Sequence, residues 1–343
     1  MSIKLIGLGD VHLRNKAFYR AGFKGFLDWF DKTIPDEHCE STEILLAGDF
    51  LNKISMLPRV GAESVRFTSI LKRKASTVYC ILGNHDYGTS GYKVINIKDF
   101  LEELGIVVID DFCEYTTKLG FNILCLPWRY GCTHAQVNKY LKSLDLEHTE
   151  YDACSAHWEL ESMFGSDFVD LSPVNAKAFM CGHIHSHKCN PKYLGSILPN
   201  QIEEVKDNDP SVVRILVKDL KNNECKNHEF QIPNFISIKK VTINSLADIQ
   251  NLQADSNCFY KVYHPTTLSE KDIKNRMKIL NIQLYGFDEV DAEVNEDVKI
   301  EFGEIEEYKT QSHQDILNKL QEVLKLDNRV LTACNQAIQA TTV

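Results

Sequence analysis

Short apolar runs alternate with longer amphipathic stretches along most of this chain. Apolar runs of strand length fall at residues 3–8, 43–47, 77–82, 106–109, 122–126, 153–156 and 178–181. Between them, apolar residues recur with helical spacing over 17–32, 61–73, 97–104, 134–144 and 162–168. Alternation of this kind predicts a layered α/β fold. After Pro199 the texture changes. Residues 211–217 and 229–232 read as strands that complete a first domain, and Pro233 marks a boundary. A strand at 236–243, a helix at 246–252, a strand at 258–264, a helix at 269–280 and extended chain over 283–294 then make a small α/β unit. The domain reading is therefore 1–232, a small cap at 233–295, an acidic linker at 296–311 and a helical tail at 312–343. In the tail, Ser312 and Asp315 resemble a capping box, and Ile316, Leu317, Leu320, Val323 and Leu324 share one helix face. That stripe must be covered by the chain's own domain or by a partner.

Composition narrows the class. Of 343 residues, 43% are hydrophobic and 25% charged, as in soluble globular proteins. No apolar run approaches the roughly 20 residues that span a bilayer. The N-terminal strand pattern lacks a signal peptide's long apolar core and cleavage site. A cytosolic protein with no membrane association is expected. The eleven cysteines are odd in number and scattered, and Cys80, Cys125 and Cys181 lie in strand-like apolar runs. Reduced, buried thiols are the expectation. The formal net charge of −10 argues against a polyanion as partner, but much of the acid lies late, over 288–307. Arg14, Lys16, Arg20, Lys24, Arg59, Arg66, Lys72, Arg73 and Lys74 form a basic set early in the chain. Such a patch can steer a polyanion even when the whole chain is acidic, although on these residues alone ordinary solvated helix faces are the better reading.

The chemistry lies where the apolar runs stop. Five of them end in a polar cluster: G-D-V-H at 9–12, G-D at 48–49, G-N-H-D at 83–86, His157, and G-H-I-H at 182–185. Open α/β sheets place their sites at the carboxyl ends of strands. Asp10, His12, Asp49, Asn84, His157, His183 and His185 supply carboxylate, imidazole and amide oxygen, the donors that two adjacent divalent cations need. Alternation along extended chain puts Asp10 and His12 on one side, and likewise His183 and His185. Gly9, Gly48, Gly83 and Gly182 let the backbone turn there with no side chain in the way. Taken singly the pieces are weak: D-x-H and G-D are common in loops, and a lone His157 would be an ordinary core histidine. Their joint order after strands is what points to a metal centre.

These motifs, with His157 in A-H-W-E at 156–159, resemble the calcineurin-like metallophosphoesterases. Within that superfamily the chain is most similar to the SbcD family, the nuclease subunits of double-strand-break processing complexes, including their viral relatives. The resemblance implies a layered sandwich of two sheets flanked by helices, with a small α/β cap domain and a C-terminal helical tail. It implies that Asp10, His12, Asp49 and His185 hold one ion and that Asp49, Asn84, His157 and His183 hold the other, with Asp49 bridging. His85 is expected to lie over the scissile phosphate as a catalytic donor rather than to bind metal. Asn52 and Asp86 are expected behind the ligands. Many relatives carry an acidic residue where this chain has Asn52, oriented toward the catalytic histidine. An amide can orient an imidazole but cannot stabilise an imidazolium as a carboxylate does. His187 has no counterpart and is expected at the surface.

The implied activity is that of a DNA nuclease with two divalent ions, by resemblance manganese. It would act as an exonuclease on duplex ends and an endonuclease on single strands, in DNA recombination and repair. Arg14, Arg59, Arg66, Lys72 and Arg73 are candidates for contact with the DNA backbone. The implied partners are a second copy of the chain and an SMC-like (SbcC-type) ATPase bound through the C-terminal helices, in the host cytoplasm if the chain is viral. The resemblance also implies that ATP enters only through that partner, and consistent with this the sequence shows no G-x-x-x-x-G-K-[ST] motif. A small-molecule or cyclic-nucleotide phosphodiesterase would show the same metal residues, but it needs neither the C-terminal unit nor the tail. A scaffold that had lost catalysis would usually have lost ligands too, and none is missing.

Overall fold

The computed structural model describes residues 2–34, 36–90, 93–162, 167–198 and 211–289. The expected linker at 296–311, the tail at 312–343 and the centre of the helix expected over 162–168 lie outside these residues. In chain order the elements begin β1 Ser2–Leu8, α1 Ala17–Thr33, β2 Thr42–Leu46, α2 Leu57–Lys74 and β3 Thr77–Ile81. The hairpin of β4 Tyr87–Ser90 and β5 Lys93–Asn96 follows, then α3 Lys98–Glu103, β6 Val107–Ile109, β7 Cys113–Thr116 and β8 Asn122–Leu126. Next come α4 His134–Leu141, β9 Tyr151–Ala156, β10 Ala176–Phe179, β11 Val212–Asp219 and β12 Cys225–Gln231. The last described elements are β13 Ser237–Thr242, β14 Cys258–His264, α5 Glu270–Ile279 and β15 Gln283–Glu289.

Two sheets face each other in the first compact unit, which joins Met1–Asn15 to Phe26–Pro233. One has the order β12-β11-β1-β2-β3-β6 and the other β10-β9-β8-β7. Strands β1, β2, β3 and β6 run parallel, and β11 closes antiparallel on β1. In the second sheet β8, β9 and β10 are parallel. Strand periodicity explains the layering. Ile123 and Cys125 of β8 point into the core between the sheets, with Leu5, Leu45, Ile81 and Leu216. Leu124 and Leu126 point the other way, into a second core closed by Val137 and Leu141 of α4. A strand covered on both faces reads as an unbroken apolar run, which is what this segment shows.

Helix α2 starts earlier than its sequence pattern predicts. The expected pattern begins at Gly61, yet the helix begins at Leu57 and takes in Pro58, which is buried. Proline is tolerated in a first helical turn, where its missing N–H has no partner to lose. Leu57, Val60, Ser64, Phe67, Leu71 and Lys74 then form its buried face at three- and four-residue spacing. The helix starts from the carboxyl end of β2 and stops ahead of the amino end of β3, so its last turn lies at the opposite end of the strands from the polar clusters.

Among the described residues, the second compact unit joins Lys16–Gly25 to 234–289, so the first half of α1 belongs to it. Its sheet, β13-β14-β15, is parallel throughout, with α5 as the crossover between β14 and β15. Ile243, Ile249, Val262, Ile273 and Met277 make its core. The helix expected over 246–252 is only a 3-10 turn, Asp248–Asn251. The Asp248 carboxylate accepts from the main-chain N–H of Asn244 and of Ser245, fixing a tight turn, and Leu252 is already extended. Among the described residues, no helix is long and apolar enough to cross a membrane. The ten described cysteines are free thiols, with Cys80, Cys125 and Cys181 buried.

Candidate metal centre

Five loops at strand ends converge on one buried pocket of donors. Asp10 follows β1, Asp49 follows β2, Asn84 follows β3, His157 follows β9 and His183 follows β10. Main-chain bonds carry the sheets into these loops. Ala47 N–H donates to Leu8 O at 2.9 Å, His12 N–H to Asp49 O at 2.8 Å, His157 N–H to Leu126 O at 3.1 Å and Gly182 N–H to Ala156 O at 2.9 Å. The last of these links the two strand ends of the second sheet, so the two clusters of that sheet are held side by side.

Getting the side chains to one point requires uncommon backbone. His12 and Asp49 both have φ of 48° and His183 has φ of 87°. Left-handed backbone costs a non-glycine residue about 1–2 kcal/mol, and three such residues in one pocket mark a site held in place by its surroundings. The glycines serve close approach. A Cβ on Gly83 would lie 2.2 Å from Asp49 Oδ1, and one on Gly182 would lie 2.3 Å from Ala47 O and 2.5 Å from Asp10 Oδ1. At Gly9 it would meet Gly195 O at 1.8 Å. Gly48 combines both demands, with φ of 98° and His157 Nδ1 2.3 Å from the position of a Cβ.

Asp49 stands at the middle. Its Oδ2 is 3.4 Å from His12 Nε2 and 3.3 Å from His157 Nε2, and its Oδ1 accepts the His85 main-chain N–H at 2.8 Å. On one side His12 Nε2 and His185 Nε2 face each other at 2.9 Å. On the other, Asn84 Oδ1 lies 3.1 Å from His157 Nε2 and 3.0 Å from His183 Nδ1. The Asp10 carboxylate accepts His183 N–H with both oxygens, at 3.0 and 3.1 Å. Donor atoms of Asp10, His12 and His185 fall within 4.8 Å of one another, as do those of Asp10, Asp49 and His157. Two imidazole nitrogens pointing at each other beside a carboxylate are the arrangement a cation fits, since each can offer it a lone pair. The mixed nitrogen and oxygen donor set suits borderline divalent ions.

The electrostatics follow from burial. Burial pushes the Asp10 carboxyl up and the His12 imidazolium down, each against its charged form. Asp49 goes the other way: burial opposes its charge, but His157 and His12 outweigh burial and hold it below the usual carboxylate range. His157 is the counterpart, pushed up to about 10 by Asp49 against the burial penalty. An ion would replace the proton that these pairings share. Asp86, fully buried and raised to about 7 by burial and by Asp49, binds the loops together. Its oxygens accept from Leu51 N–H at 3.2 Å and Gly83 N–H at 2.9 Å.

Residues 3–187 match the calcineurin-like phosphoesterase family. The chain belongs to that family. It is thus a metal-dependent phosphoester hydrolase by descent, with the two-sheet α/β fold that the sequence predicts. No curated protein matches the chain.

The structure brings all seven expected ligands of this phosphoesterase into the pocket and places His85 beside them. The His85 donor atom also lies within 4.8 Å of those of His12 and Asp49. How His85 is oriented differs from expectation. Its Nδ1 donates to the main-chain O of Asn52 at 2.7 Å, and the Asn52 side chain turns away to accept from Arg14 Nη2 at 2.7 Å. The orienting group is a backbone carbonyl, so the identity of the side chain at position 52 matters less than the sequence suggests. His187 is not a loose surface residue. Its Nδ1 donates to Tyr193 O at 2.6 Å and its Nε2 lies 3.5 Å from Glu229, which also pairs with Arg214.

The basic candidates divide. Arg14 lies next to the centre, and Arg59 is exposed in the first turn of α2. Lys72 and Arg73 lie in the last turn of that 18-residue helix, about 20 Å along its axis from Arg59 at 1.5 Å per residue. There Lys72 donates to Leu104 O and Arg73 pairs with Asp31, while Arg66, in the middle, is 3.6 Å from Asp28.

One residue beside the centre was given no role by the sequence, although it closes the A-H-W-E motif. Glu159 Oε1 lies 2.8 Å from His183 Nε2, and its Oε2 lies 2.7 Å from His134 Nε2. The carboxyl is held well below its usual range, first by its hydrogen bond from His183. The acidic residue two positions after His157 was the available signal.

Proposed function

We propose that this phosphoesterase is a dinuclear-metal DNA nuclease, the nuclease subunit of an SbcCD-type complex. The observation that carries the reading is Asp49, its carboxylate between two sets of donors and its Oδ1 bound to the main chain of His85. That geometry supports reading Asp49 as the bridging group and His85, beside it, as the candidate proton donor. Two divalent ions, manganese in this proposal, would be held by Asp10, His12, Asp49 and His185 on one side and by Asp49, Asn84, His157 and His183 on the other, and would supply a water acidic enough to act as nucleophile near neutral pH. His85, with Nδ1 committed to Asn52 O, presents Nε2 to the leaving oxygen or the developing charge.

Two features favour a nucleic acid over a small diester. An aromatic chain runs from Tyr87, two residues after His85, through Trp128 to Tyr130, with ring centroids 5.1 and 6.2 Å apart. The loop that carries it is tied to the site, since Trp128 N–H donates to Leu82 O at 2.8 Å, and Tyr130 is 56% exposed. Exposed aromatic faces beside a phosphate site suit stacked bases. The second feature is Arg59, exposed near the carboxyl end of β2, where a flanking phosphate would pass.

The test compares manganese-dependent hydrolysis of linear duplex DNA, single-stranded oligonucleotide, a cyclic nucleotide and bis(4-nitrophenyl) phosphate. A nuclease has its highest kcat/KM on DNA. A higher value on the cyclic nucleotide would establish the small-molecule reading instead. The proposed ATPase contact is tested by deleting residues 312–343. The deletion leaves manganese-dependent cleavage by the isolated chain intact and abolishes co-purification with an SMC-like ATPase. Retained binding would show that the tail is not the contact.

A further inference from the structure

A histidine that ligates through one ring nitrogen must carry its proton on the other, and the partner of that second nitrogen fixes which is which. Two site histidines use the main chain for this. His157 Nδ1 donates to Ala47 O at 2.7 Å, leaving Nε2 toward Asp49. His85 Nδ1 donates to Asn52 O at 2.7 Å. His183 is turned the other way round. It presents Nδ1 to Asn84 Oδ1, and its Nε2 points away from the pocket to Glu159 Oε1 at 2.8 Å.

Glu159 is itself held. Its second oxygen is bound by His134 Nε2 at 2.7 Å, and the segment around it is pinned at every residue. His157 N–H donates to Leu126 O, Trp158 Nε1–H to Pro127 O, and Leu160 N–H to Tyr193 Oη, while Glu159 O accepts from Val169 N–H. A carboxylate fixed at both oxygens cannot follow His183 if the ring turns. It therefore holds the ring in one orientation and one tautomer, with Nδ1 bare. His12, on the other side of Asp49, has a buried Nδ1 with no hydrogen-bond partner among the described residues.

We propose that Glu159, braced by His134, is the positioning residue for His183. The pair sets the affinity of the ion held by Asn84, His157 and His183 independently of the ion held by Asp10, His12 and His185. This rests on the two-ion reading of the centre. Removing an outer hydrogen-bond partner of a ligating histidine typically weakens metal binding about 10–100-fold. The effect falls on one ion, because among the described residues Glu159 touches only His183 of the seven ligands.

The experiment titrates metal-free full-length protein with Mn2+, following heat and the electron paramagnetic resonance spectrum, for wild type, Glu159→Ala, Glu159→Gln and His134→Ala. Wild type takes up two equivalents and shows the spectrum of an interacting manganese pair. Glu159→Ala binds one equivalent as wild type does and the second about 10–100-fold more weakly, so isolated Mn2+ dominates until manganese is in excess. Glu159→Gln keeps an oxygen that can accept from Nε2–H and recovers part of the loss. His134→Ala has the same effect as Glu159→Ala, but smaller. A merely structural role lowers the melting temperature of the metal-free protein and leaves both equivalents alone. Unchanged binding in Glu159→Ala, or equal weakening of both ions, overturns the proposal. A wild-type chain that binds no ion pair overturns the two-ion reading itself. If Glu159→Ala does not fold, the Glu159→Gln titration decides on the same criteria.

Discussion

Replacing Gly83 by alanine separates close approach from backbone strain. Gly83 has ordinary backbone, so the added methyl meets no conformational penalty. It meets the centre instead. Its Cβ would lie 2.2 Å from Asp49 Oδ1, 2.4 Å from Asp49 N and 2.7 Å from His157 Cε1. A shift of about 0.8 Å brings the Asp49 contact only to 3.0 Å, the closest that real Cβ atoms come. Asp49 cannot yield alone, since its Oδ1 accepts from His85 and its main-chain O from His12. Overpacking of this kind costs about 1–3 kcal/mol, and misplacing reacting groups by about 1 Å costs roughly 10²-fold in rate. Gly120→Ala is the mirror case. Gly120 has φ of 89° and nothing within 4 Å of an added Cβ, so the variant loses about 1–2 kcal/mol from backbone strain and no activity. Bound metal, kcat on bis(4-nitrophenyl) phosphate and the denaturation midpoint are measured for both variants. Wild-type kcat and full metal content in Gly83→Ala would refute the reasoning, as would loss of activity without loss of stability in Gly120→Ala.

Asp49→Ala removes more than one ion's worth of bound metal and abolishes turnover, whereas His85→Ala keeps metal content near wild type and still loses most of the rate; metal analysis beside kinetics checks the division. Arg59→Ala weakens DNA binding and flattens its salt dependence while leaving hydrolysis of the small diester alone, whereas Lys72→Ala and Arg73→Ala, at the far end of α2, leave both unchanged. Tyr130→Ala raises KM for an oligonucleotide about 5–100-fold, the range of one lost base stack, with no change on bis(4-nitrophenyl) phosphate. Asp152→Asn tests a buried ion pair remote from the centre. Asp152 accepts from Lys218 Nζ at 2.7 Å and from Asn122 N–H at 3.0 Å, and these contacts outweigh burial and hold its carboxyl below the usual value. Because the folded value is lowered, its stabilisation is complete above the unfolded value of about 3.9 and is lost as pH falls through the folded one. The variant is less stable by about 3 kcal/mol at pH 7, and the gap to wild type in urea unfolding narrows steadily below about pH 4.

The chain's own pattern determined the layered fold and picked out the candidate ligands, for identifiable reasons. A strand such as β8, buried on both faces, must be apolar throughout, so its run and its end are visible without coordinates. A polar cluster placed where such a run ends is conspicuous, and Asp10, Asp49, Asn84, His157 and His183 are all placed so. Local periodicity also located α1 to α5, but it missed the first turn of α2, which Pro58 is able to open, and it read a helix over 246–252 where the chain makes only a 3-10 turn. What only the tertiary structure decided were matters of direction and distance between segments far apart in the chain. Asn52 has a side chain that suggests an orienting amide, yet the carbonyl behind it is what meets His85, and no residue type announces which of its two oxygens faces a neighbour. Lys72 and Arg73 look like part of one basic patch with Arg14, but the length of α2 carries them to the other end of the strands. Glu159 closes the A-H-W-E motif, but nothing in the sequence links it to His134, 25 positions away, or to His183, which the parallel pairing of β9 and β10 brings beside His157. Periodicity records which face of an element is buried, and that is a local property. Which side chains then meet across the pocket depends on crossover and packing, which one-dimensional spacing does not encode.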